Sequence, residues 1–456
     1  MPAPRRASAG RALVAIVGRP NVGKSSLFNR LIGRRQAIVD SEAGLTRDRL
    51  YGTVEWSGRE FALVDTAGLD SQLARPTQLH DELVENTQEG TRTAIQEADA
   101  IIFMVDVREG LTAVDTEVAE MLRRSGVPVV LAANKAESPK DPGYIHELYG
   151  LGFGEPEAIS ALQGTNTGDL LDRVLAVLPP EAVDEGGEVD DEVAICIVGR
   201  PNVGKSSLLN AIMGSPRSLV AAIPGTTRDP VDTELSVEGT RVRIVDTAGI
   251  RRKGITKGGI EHYTVLRAFR AMERSDVAIL VIDATEGILT QDQHIAGYAV
   301  DAGKGLVLVV NKWDLLEPEQ RSDTHWRTEV DRTFKFIPGV PVIYSSALTG
   351  RRVTDALPAA LKVNESRRRR ISTPDLNRVV RRAVEDNPPP MRGRKQLKVL
   401  YATQGKERTP TIVLFVNDPD LAHFSYRRYL ENRIREKYGF EGVPMRVLMR
   451  RRAEEE

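Results

Sequence analysis

The chain alternates short apolar runs with longer segments in which apolar residues recur at helical spacing. The runs ALVAIVG, FALVDTAG, AIIFMVD and VPVVLAANK occur in its first half, and VAICIVG, VRIVDTAG, VAILVID and GLVLVVNK in its second. Near-continuous Val, Ile and Leu runs separated by helices are typical of a parallel β-sheet that is buried on both faces. The pattern therefore predicts the α/β class, with ligands at the carboxyl ends of the strands.

The two halves are copies of one unit. The octet GRPNVGKS occurs at Gly18–Ser25 and at Gly199–Ser206, and DTAG occurs at Asp65–Gly68 and at Asp246–Gly249. Both pairs of motifs are separated by 181 residues. Because this period far exceeds that of a solenoid repeat, it indicates duplication of a whole domain.

A third region follows the second unit. It opens with the run Arg367–Arg370, after which we predict a helix with Thr373 as its N-cap and Pro374 in its first turn. The strands LKVLYATQ and TIVLFVND, the helix SYRRYLENRIREKY and the strand VPMRVLMR come next. The order α-β-β-α-β predicts a small α+β domain with its helices on one face of a sheet.

These patterns predict a domain organisation in five parts. The N-terminal segment lacks the apolar h-region of a secretory signal and is predicted to be a disordered tail, and the acidic segment with paired glycines is predicted to be an extended linker. The parts are a basic tail at 1–10, a first α/β domain at 11–178, the linker at 179–192, a second α/β domain at 193–364 and a basic domain at 365–456.

Composition narrows the class of protein. The hydrophobic share of 41% and the charged share of 28% are ordinary for a soluble globular protein. No apolar stretch approaches the roughly 18–20 residues of a membrane helix. The single cysteine, Cys196, lies in a predicted strand, which indicates a core residue and a reducing compartment. We expect a cytoplasmic protein without a membrane segment.

The net charge of −1 conceals an uneven distribution. From Arg367 to Glu456 there are 22 Lys and Arg against 12 Asp and Glu, which gives +10 for this region and −11 for the remainder. A basic end on an acidic body favours a polyanionic partner. The alternative is a solvated basic surface that binds nothing specific.

The repeated octet has the chemistry of a phosphate cradle. It fits G-x-x-x-x-G-K-[ST], in which backbone N–H groups surround an anion, the lysine (Lys24, Lys205) reaches the outer phosphates and the serine (Ser25, Ser206) binds magnesium. Each copy stands between an apolar run and an amphipathic stretch, as a cradle over a helix N-terminus requires. Two identical copies predict two nucleotide sites.

Further motifs in each unit predict a guanine nucleotide. DTAG supplies a magnesium-shell aspartate and a glycine N–H for the γ-phosphate, and Thr46 and Thr227 lie in segments suited to loops that order around these groups. At NKWD, the carboxylate of Asp314 can accept two hydrogen bonds from guanine, and adenine lacks that donor pair. The first unit reads NKAE, so the longer Glu137 predicts weaker guanine affinity there. The SALQG and SALTG loops would bring backbone N–H groups to the guanine carbonyl.

The candidate residues follow from these motifs. Those proposed to bind nucleotide in the first unit are Gly18, Arg19, Pro20, Asn21, Val22, Gly23, Lys24, Ser25, Asp65, Thr66, Ala67, Gly68, Leu69, Asn134, Lys135, Ala136, Glu137, Ser160 and Ala161. Those in the second unit are Gly199, Arg200, Pro201, Asn202, Val203, Gly204, Lys205, Ser206, Asp246, Thr247, Ala248, Gly249, Ile250, Asn311, Lys312, Trp313, Asp314, Ser346 and Ala347. The candidate magnesium ligands are Ser25, Thr46, Asp65, Ser206, Thr227 and Asp246.

Together these motifs resemble the double-Era-like GTPase family, known as Der or EngA, from Val14 to about Arg450. The resemblance implies two tandem P-loop GTPase domains, a C-terminal KH-like domain, and GTP hydrolysis with Mg²⁺. It also implies a role in assembly of the large (50S) ribosomal subunit, with GTP and GDP, that subunit and ribosomal RNA as partners of a monomeric protein.

The resemblance also implies a potassium ion. After DTAG the chain carries Leu69 and Ile250, where Ras-like enzymes have a water-orienting glutamine. Members of the family use K⁺ in place of an arginine finger, which implies Asn21 and Asn202 as partial ligands. Together with the P-loop lysines these are the candidate catalytic residues. The alternative for each asparagine is a turn residue preferred for its backbone conformation.

RNA contact by the C-terminal domain must be argued from charge. RNA-binding KH domains clamp a nucleic-acid backbone with a G-x-x-G loop between two helices. Here GFEG at Gly439–Gly442 joins a helix to a strand, and Glu441 would repel phosphate, so we predict a helix C-cap and turn. The run Arg367–Arg370 is the expected phosphate contact. Two other functions stay open: a P-loop kinase, which the guanine-selecting motifs oppose, and a regulatory GTPase that binds protein partners without direct RNA contact.

Overall fold

The computed structural model of the chain describes most of it as two compact units. The first unit comprises Met1–Val189 and Arg252–Arg274, and the second comprises Asp190–Arg251 and Ser275–Glu456. The predicted tail and nearly all of the predicted linker lie outside the described residues, so those two assignments stay predictions. The described residues are 11–36, 51–66, 92, 94–136, 142–180, 192–214, 220–222, 232–247, 250, 260–392 and 395–451.

The first unit is built on a six-stranded sheet in the order β2-β3-β1-β4-β5-β6. All neighbouring strands are parallel except β2 and β3, an antiparallel pair at one edge that the apolar pattern did not predict. The strands are β1 (Ala12–Val17), β2 (Tyr51–Trp56), β3 (Arg59–Asp65), β4 (Ala100–Asp106), β5 (Val129–Asn134) and β6 (Glu157–Ile159). Its helices include α1 (Lys24–Gln36), α2 (Ala113–Ser125), α3 (Pro142–Leu148) and α4 (Thr167–Val177).

The second unit repeats this design with a seven-stranded sheet in the order β13-β12-β11-β7-β10-β9-β8. β8, β9 and β10 pair antiparallel, and the other strands are parallel. The strands are β7 (Glu192–Val198), β8 (Val220–Ala222), β9 (Thr233–Val237), β10 (Thr240–Val245), β11 (Val277–Asp283), β12 (Gly305–Asn311) and β13 (Val342–Tyr344). The helices that follow β7 in the chain, up to the C-terminal domain, are α5 (Lys205–Met213), α6 (Ile260–Glu273), α7 (Thr290–Asp301), α8 (Asp323–Thr333) and α9 (Ala356–Arg368). All of them belong to the second unit except α6.

The predicted parallel sheets are confirmed. Every residue of β4, β11 and β12 is buried, as expected for strands covered on both faces. Cys196 of β7 is fully buried, and the hydroxyl of Ser275 lies 3.3 Å from its sulfur. Burial raises the pKa of this thiol to about 12, so it is an unreactive core residue, as predicted.

Helix α6 belongs to the first unit, although it follows the second DTAG motif in sequence. Arg270 pairs with both carboxylate oxygens of Asp99 at 2.5 Å. The ring of Phe269 lies 4.2 Å from that of Tyr51, centroid to centroid. The sequence pattern had not predicted this membership, because it depends on contacts between residues far apart in the chain.

The C-terminal domain has the predicted α-β-β-α-β order, and a short hairpin of β14 and β15 adds to it. A three-stranded sheet pairs β16 antiparallel and β18 parallel to the central β17. The N-cap of the first helix is Ser372, whose hydroxyl accepts a hydrogen bond from the Asp375 amide, so the prediction of Thr373 was wrong by one residue. The elements are α10 (Thr373–Asp386), β14 (Met391–Arg392), β15 (Lys395–Gln396), β16 (Val399–Gln404), β17 (Thr411–Val416), α11 (Phe424–Tyr438) and β18 (Arg446–Arg451).

The GFEG segment is a helix end, as predicted. Gly439 caps α11, and its N–H donates to the Arg435 carbonyl at 2.7 Å. Gly442 then accepts a hydrogen bond from the Leu306 amide at the start of β12. The C-terminal domain is therefore joined to the second α/β domain, and a single apolar core runs through both.

The arginine run contributes to this junction, which corrects the expectation that Arg367–Arg370 contacts RNA as a group. Arg367 is only 6% exposed, pairs with Asp276 at 2.9 Å and donates to the Gly303 carbonyl at 3.1 Å. Arg370 donates to backbone carbonyls of the β16–β17 turn. Burial alone would raise the pKa of Asp276, but the Arg367 guanidinium and the Ala194 amide hold it below its usual value.

We expect Arg367→Ala to destabilise the second unit by about 3–5 kcal/mol, because it leaves Asp276, whose side chain is only 14% exposed, without its main counter-ion. The folded pKa of Asp276 lies below the unfolded value of about 4. The contribution of this ion pair is therefore present above that pH and is lost as the pH falls through the folded pKa. Urea unfolding at neutral and acidic pH measures both effects.

The matched control is Arg368→Ala, at the exposed neighbouring position of the run. This change should alter the free energy of unfolding by no more than about 0.5 kcal/mol. Equal losses in the two variants would contradict a structural role specific to Arg367.

Candidate nucleotide-binding sites

The two P-loops have the same backbone geometry at the carboxyl ends of β1 and β7. Each begins with a glycine and turns through an asparagine at positive φ, 64° at Asn21 and 63° at Asn202. The first helical turn follows at once, because the Gly23 and Gly204 carbonyls accept from the amides of Leu27 and Leu208. In each repeat, the backbone N–H groups of the loop and of the helix N-terminus, α1 or α5, therefore converge on one point, as anion binding requires.

Each P-loop lysine lies over its own loop. The Nζ of Lys24 donates to the carbonyls of Gly18 and Arg19 at 2.6 and 2.9 Å. Lys205 does the same with Gly199 and Arg200, at 2.8 and 2.6 Å. Burial lowers the pKa of Lys205 to about 8. Each ammonium group is therefore held over the turn of its own loop.

The oxygen groups beside the first P-loop fit magnesium. The hydroxyl of Ser25 donates to the Asp65 carboxylate at 2.6 Å, at the start of α1. A hydroxyl and a carboxylate at one point are the hard ligands that Mg²⁺ takes together with phosphate oxygens. In the second repeat the hydroxyl of Ser206 instead donates to the Ile250 carbonyl, so the segment after DTAG contacts the P-loop directly.

One asparagine in each repeat joins the phosphate cradle to the predicted base-binding loop. Asn134 donates to the Val22 carbonyl at 2.7 Å and accepts from the Ala161 amide at 2.9 Å. Asn311 makes the same two bonds, to Val203 at 2.9 Å and from Ala347 at 3.0 Å. A buried amide with both ends satisfied holds the two loops at a constant separation.

The lysines of the NK motifs have partners that the motif analysis missed. Lys135 pairs with Asp106 at 2.5 Å, and Lys312 pairs with Asp283. Burial would raise the pKa of Asp283, but hydrogen bonds from Lys312 and Thr285 hold it below its usual value. Each aspartate is the last residue of an interior strand of its sheet, β4 or β11, so it positions the lysine beside the predicted base-binding loop.

The P-loop arginines are also held by acidic residues that were missed. Arg200 donates to Asp292 at 3.0 Å and to Glu286 at 2.6 Å. In the first repeat Arg19 pairs with Asp115 at 3.3 Å and with Glu109 at 2.6 Å. These arginines therefore fasten their loops to the start of a helix.

The NKWD motif divides its side chains between core and site. Trp313 is 1% exposed and packs with Tyr344 and Trp326, so its indole is part of the hydrophobic core. Asp314 is half-buried in the following turn, where its carbonyl accepts from Arg321 at 2.9 Å. Of these two candidates, Asp314 is the one whose side chain is available to a ligand.

Several further candidates make hydrogen bonds within the fold, and others lie outside the described residues. Thr66 donates to the Ile16 carbonyl, the hydroxyls of Thr247 and Thr233 lie 2.8 Å apart, and Ser160 and Ser346 begin their loops with bonds to the amides three residues on. The candidates that lie outside the described residues are Thr46, Ala67, Gly68, Leu69, Glu137, Thr227, Ala248 and Gly249.

Known protein families match the two repeats and the C-terminal domain separately. Residues 13–135 and 194–312 match the model of a family described as 50S ribosome-binding GTPase. Residues 370–450 match the KH-domain-like C-terminal region of EngA bacterial GTPase enzymes. A GTPase Der from Herpetosiphon aurantiacus is 49% identical over 98% of both chains, and one from Thermomicrobium roseum is 51% identical over 96% of both.

The chain belongs to the Der family of GTPases. It therefore binds GTP and GDP and hydrolyses GTP, with two G domains and a KH-like domain. A solved Era structure from Aquifex aeolicus is 25% identical over 58% of this chain and 87% of that one, with a TM-score of 0.30. Among the described residues, no helix is long and apolar enough to cross a membrane.

The residues missed in this Der-family chain left a signal in the repeat itself. Asp106, Glu109 and Asp115 recur as Asp283, Glu286 and Asp292, all at the offset of 177 residues that also separates Asn134 from Asn311. Acidic residues retained at one offset in both copies marked contacts of the site. These residues lie between the motifs, outside the contiguous patterns that predict the site.

We expect Gly204→Ala to weaken nucleotide binding by the second repeat roughly 10²-fold or more. Gly204 has φ of 97°, and a Cβ there would lie 2.2 Å from Asn311 Nδ2. The substitution displaces the amide that joins the phosphate cradle to the base-binding loop, which leaves buried polar groups unpaired. Titration with a fluorescent GTP analogue in a Lys24→Ala background reports on this site alone.

Gly239→Ala is the matched control, because its φ of 84° carries similar backbone strain with nothing within 4 Å of the added Cβ. This variant should bind as the parent does. An unchanged affinity in Gly204→Ala would contradict the role given to the Asn311 bridge.

Proposed function

We propose that the chain is a GTP-hydrolysing switch that acts in assembly or maturation of the large (50S) ribosomal subunit, as a monomer in the cytoplasm. The observation that carries this proposal is the pair of matching phosphate cradles on a chain whose C-terminal domain, +10 from Arg367 onward, is fused to the second G domain. Support also comes from the matched family model, which is described as 50S ribosome-binding GTPase.

In the proposed mechanism the P-loops bind the phosphates, and the Asn bridges set the distance to the base. Lys24 and Lys205 leave their loop carbonyls for the outer phosphate oxygens, and backbone N–H groups of the cradle stabilise the charge that develops there. Ser25 with Asp65, and Ser206 with Asp246, would hold magnesium, which neutralises phosphate charge when bound. Asp314 accepts the guanine donors.

We further propose that Asn21 and Asn202 contribute to a potassium site at the P-loops. Both side chains are exposed at the loop, where a carboxamide oxygen can reach a monovalent cation beside the phosphates. Their positive φ equally suits the alternative role of a turn residue.

The proposal also includes the domain limits 11–178, 193–364 and 365–456. The first site is proposed to bind guanine nucleotides more weakly than the second, because Glu137 is longer than an aspartate.

The alternative is a regulatory GTPase that binds protein partners without touching RNA. It is favoured by the bonds that the buried Arg367 and the exposed Arg370 make to other parts of the same unit, because these bonds occupy two of the basic side chains expected to bind phosphate. The basic charge would then be a solvated surface.

Co-sedimentation with purified large ribosomal subunits tests the proposed function. We expect association in GTP or a non-hydrolysable analogue, and release in GDP. Lys205→Ala, which removes phosphate stabilisation at the second site, should abolish the nucleotide response. Association that is equal in both nucleotides, or absent in both, would overturn the proposal, and capture of ribosome-free protein partners would support the alternative.

A further inference from the structure

The sheet of the KH-like domain has one face in the core and one face turned away from it. Ala402 and Leu414 of β16 and β17 point into the core with the helices. The alternate residues on the opposite face include Tyr401, Phe415 and Arg450, which lie side by side because Tyr401 is paired with Phe415 and Phe415 with Arg450. We call these three residues the outer row.

The outer row is an aromatic stack of an exposed Tyr401 on a half-buried Phe415, with a cation at one end. The rings of Tyr401 and Phe415 lie 4.2 Å apart, centroid to centroid, with an angle of 13° between their planes. Tyr401 is 39% exposed, and β16 is an edge strand, so its ring lies at the open side of the sheet. Arg450 is exposed, and no ion pair among the described residues involves it.

A strand irregularity exposes a neighbouring apolar side chain that is not part of the outer row. The register shifts between Val399 and Tyr401, so Leu400 precedes Tyr401 without a partner and is 47% exposed. At the other end of the face, Arg446 donates to the Asp301 carbonyl and Val413 is buried. The candidate binding surface is therefore the outer row, which is the size of one or two nucleotides, and Leu400 lies beside it.

Cross-strand stacking alone does not account for the arrangement. Such a pair stabilises a sheet by roughly 0.2–1 kcal/mol. An aromatic pair that served only to stabilise the core would be covered by other side chains, whereas Tyr401 leaves aromatic surface exposed to water. The cation beside it distinguishes the patch from an ordinary apolar contact. Aromatic rings beside arginine are the elements that single-stranded nucleic acid uses, with bases on the rings and phosphates on the cation.

We propose that the outer row binds single-stranded RNA, with an unpaired base stacked on Tyr401 and a neighbouring phosphate at Arg450. This inference rests on the proposed function and assigns the RNA contact to a sheet face. The charge of the domain, +10 from Arg367 onward, favours a polyanion over an apolar protein segment as the occupant. Tyr401 and Arg450 lie two strands apart, about 10 Å, within the reach of adjacent nucleotides.

The test uses the full-length protein and a labelled single-stranded oligoadenylate of about ten nucleotides. Tyr401→Leu, which keeps an apolar side chain and removes the ring, should weaken binding roughly fivefold or more, the value of one base stack. Tyr401→Phe should bind as the parent does. Arg450→Ala should reduce the slope of log affinity against log salt by about 0.7, the value for one phosphate contact to a single strand.

Leu400→Ala is the matched control, since it removes exposed apolar surface beside the stack without removing a ring. It should leave the affinity unchanged, and thermal unfolding checks that each variant is folded. If Tyr401→Leu binds like the parent, or if Leu400→Ala weakens binding as much as Tyr401→Leu does, the patch is a general apolar contact and the inference is overturned.

Co-sedimentation with large ribosomal subunits separates this inference from the proposed function. If the parent protein associates with the subunit in GTP and oligoadenylate binding ignores Tyr401, only the inference fails. If oligoadenylate binding requires Tyr401 and the parent protein never associates with the subunit, only the proposed function fails. Reduced association of Tyr401→Leu with the subunit would support both.

Discussion

GTP is expected to be hydrolysed roughly 10⁴-fold more efficiently than ATP, because the half-buried Asp314 carboxylate is placed to accept hydrogen bonds from guanine. Asn311, three residues earlier, connects the P-loop to the predicted base-binding loop and so fixes this position. Adenine would leave that carboxylate without its two donors, and sites built to pair such groups discriminate by about 10⁴–10⁵. Steady-state phosphate release from GTP and ATP, measured in Lys24→Ala so that the second site dominates, gives the ratio.

Asp314→Ala should lower this ratio by weakening GTP binding and leaving ATP nearly unchanged. Glu317→Ala, at an exposed position of the same segment, is the control and should behave as the parent does. Comparable turnover of ATP and GTP by the parent protein would contradict the guanine assignment.

Replacing potassium by sodium at constant ionic strength is expected to slow GTP hydrolysis roughly 30- to 300-fold. A positive charge beside the reacting phosphates is worth about 10³–10⁵ when an arginine finger supplies it, and a monovalent cation that provides half of that free energy gives this range. Hydrolysis in matched potassium and sodium chloride, with saturating GTP, measures the effect.

The backbone of Asn202 allows a sharp test of its role. Because its φ is 63°, Asn202→Gly keeps the turn and removes only the carboxamide. We expect the variant to hydrolyse slowly in both salts, with the potassium response lost. A variant with the parent's rate and potassium response would show that Asn202 is a turn residue, and equal parental rates in both salts would count against the potassium site.

The sequence predicted the elements of this protein whose causes are local. Each cradle consists of eight contiguous residues in which glycines and an asparagine permit the required turns, so the sequence alone predicts both. The buried strands, the KH-like element order and the Gly439 helix cap likewise depend on residues within a few positions of one another. Duplication strengthened each prediction, because two copies repeated it.

The tertiary structure decided what depends on residues far apart in sequence. The sequence does not distinguish exposed from buried arginines, so it predicts the run Arg367–Arg370 as a phosphate contact. In the structure Arg367 instead pairs with Asp276. Trp313 stands inside a base-binding motif, but its indole fills a core that Trp326 and Tyr344 supply. Helix α6 is likewise part of the first unit because Arg270 pairs with Asp99, a residue far away in the sequence.

The site itself was divided in the same way. The sequence motifs predict its phosphate-binding and base-binding segments. The ion pairs of Asp106, Asp283 and Asp292 form only when the ends of several strands meet at one edge of a sheet. The stack of Tyr401 on Phe415 likewise requires the register of two strands. Local backbone preferences act over a few residues and are written in the sequence, but burial and charge pairing are set by which distant side chains the fold brings together.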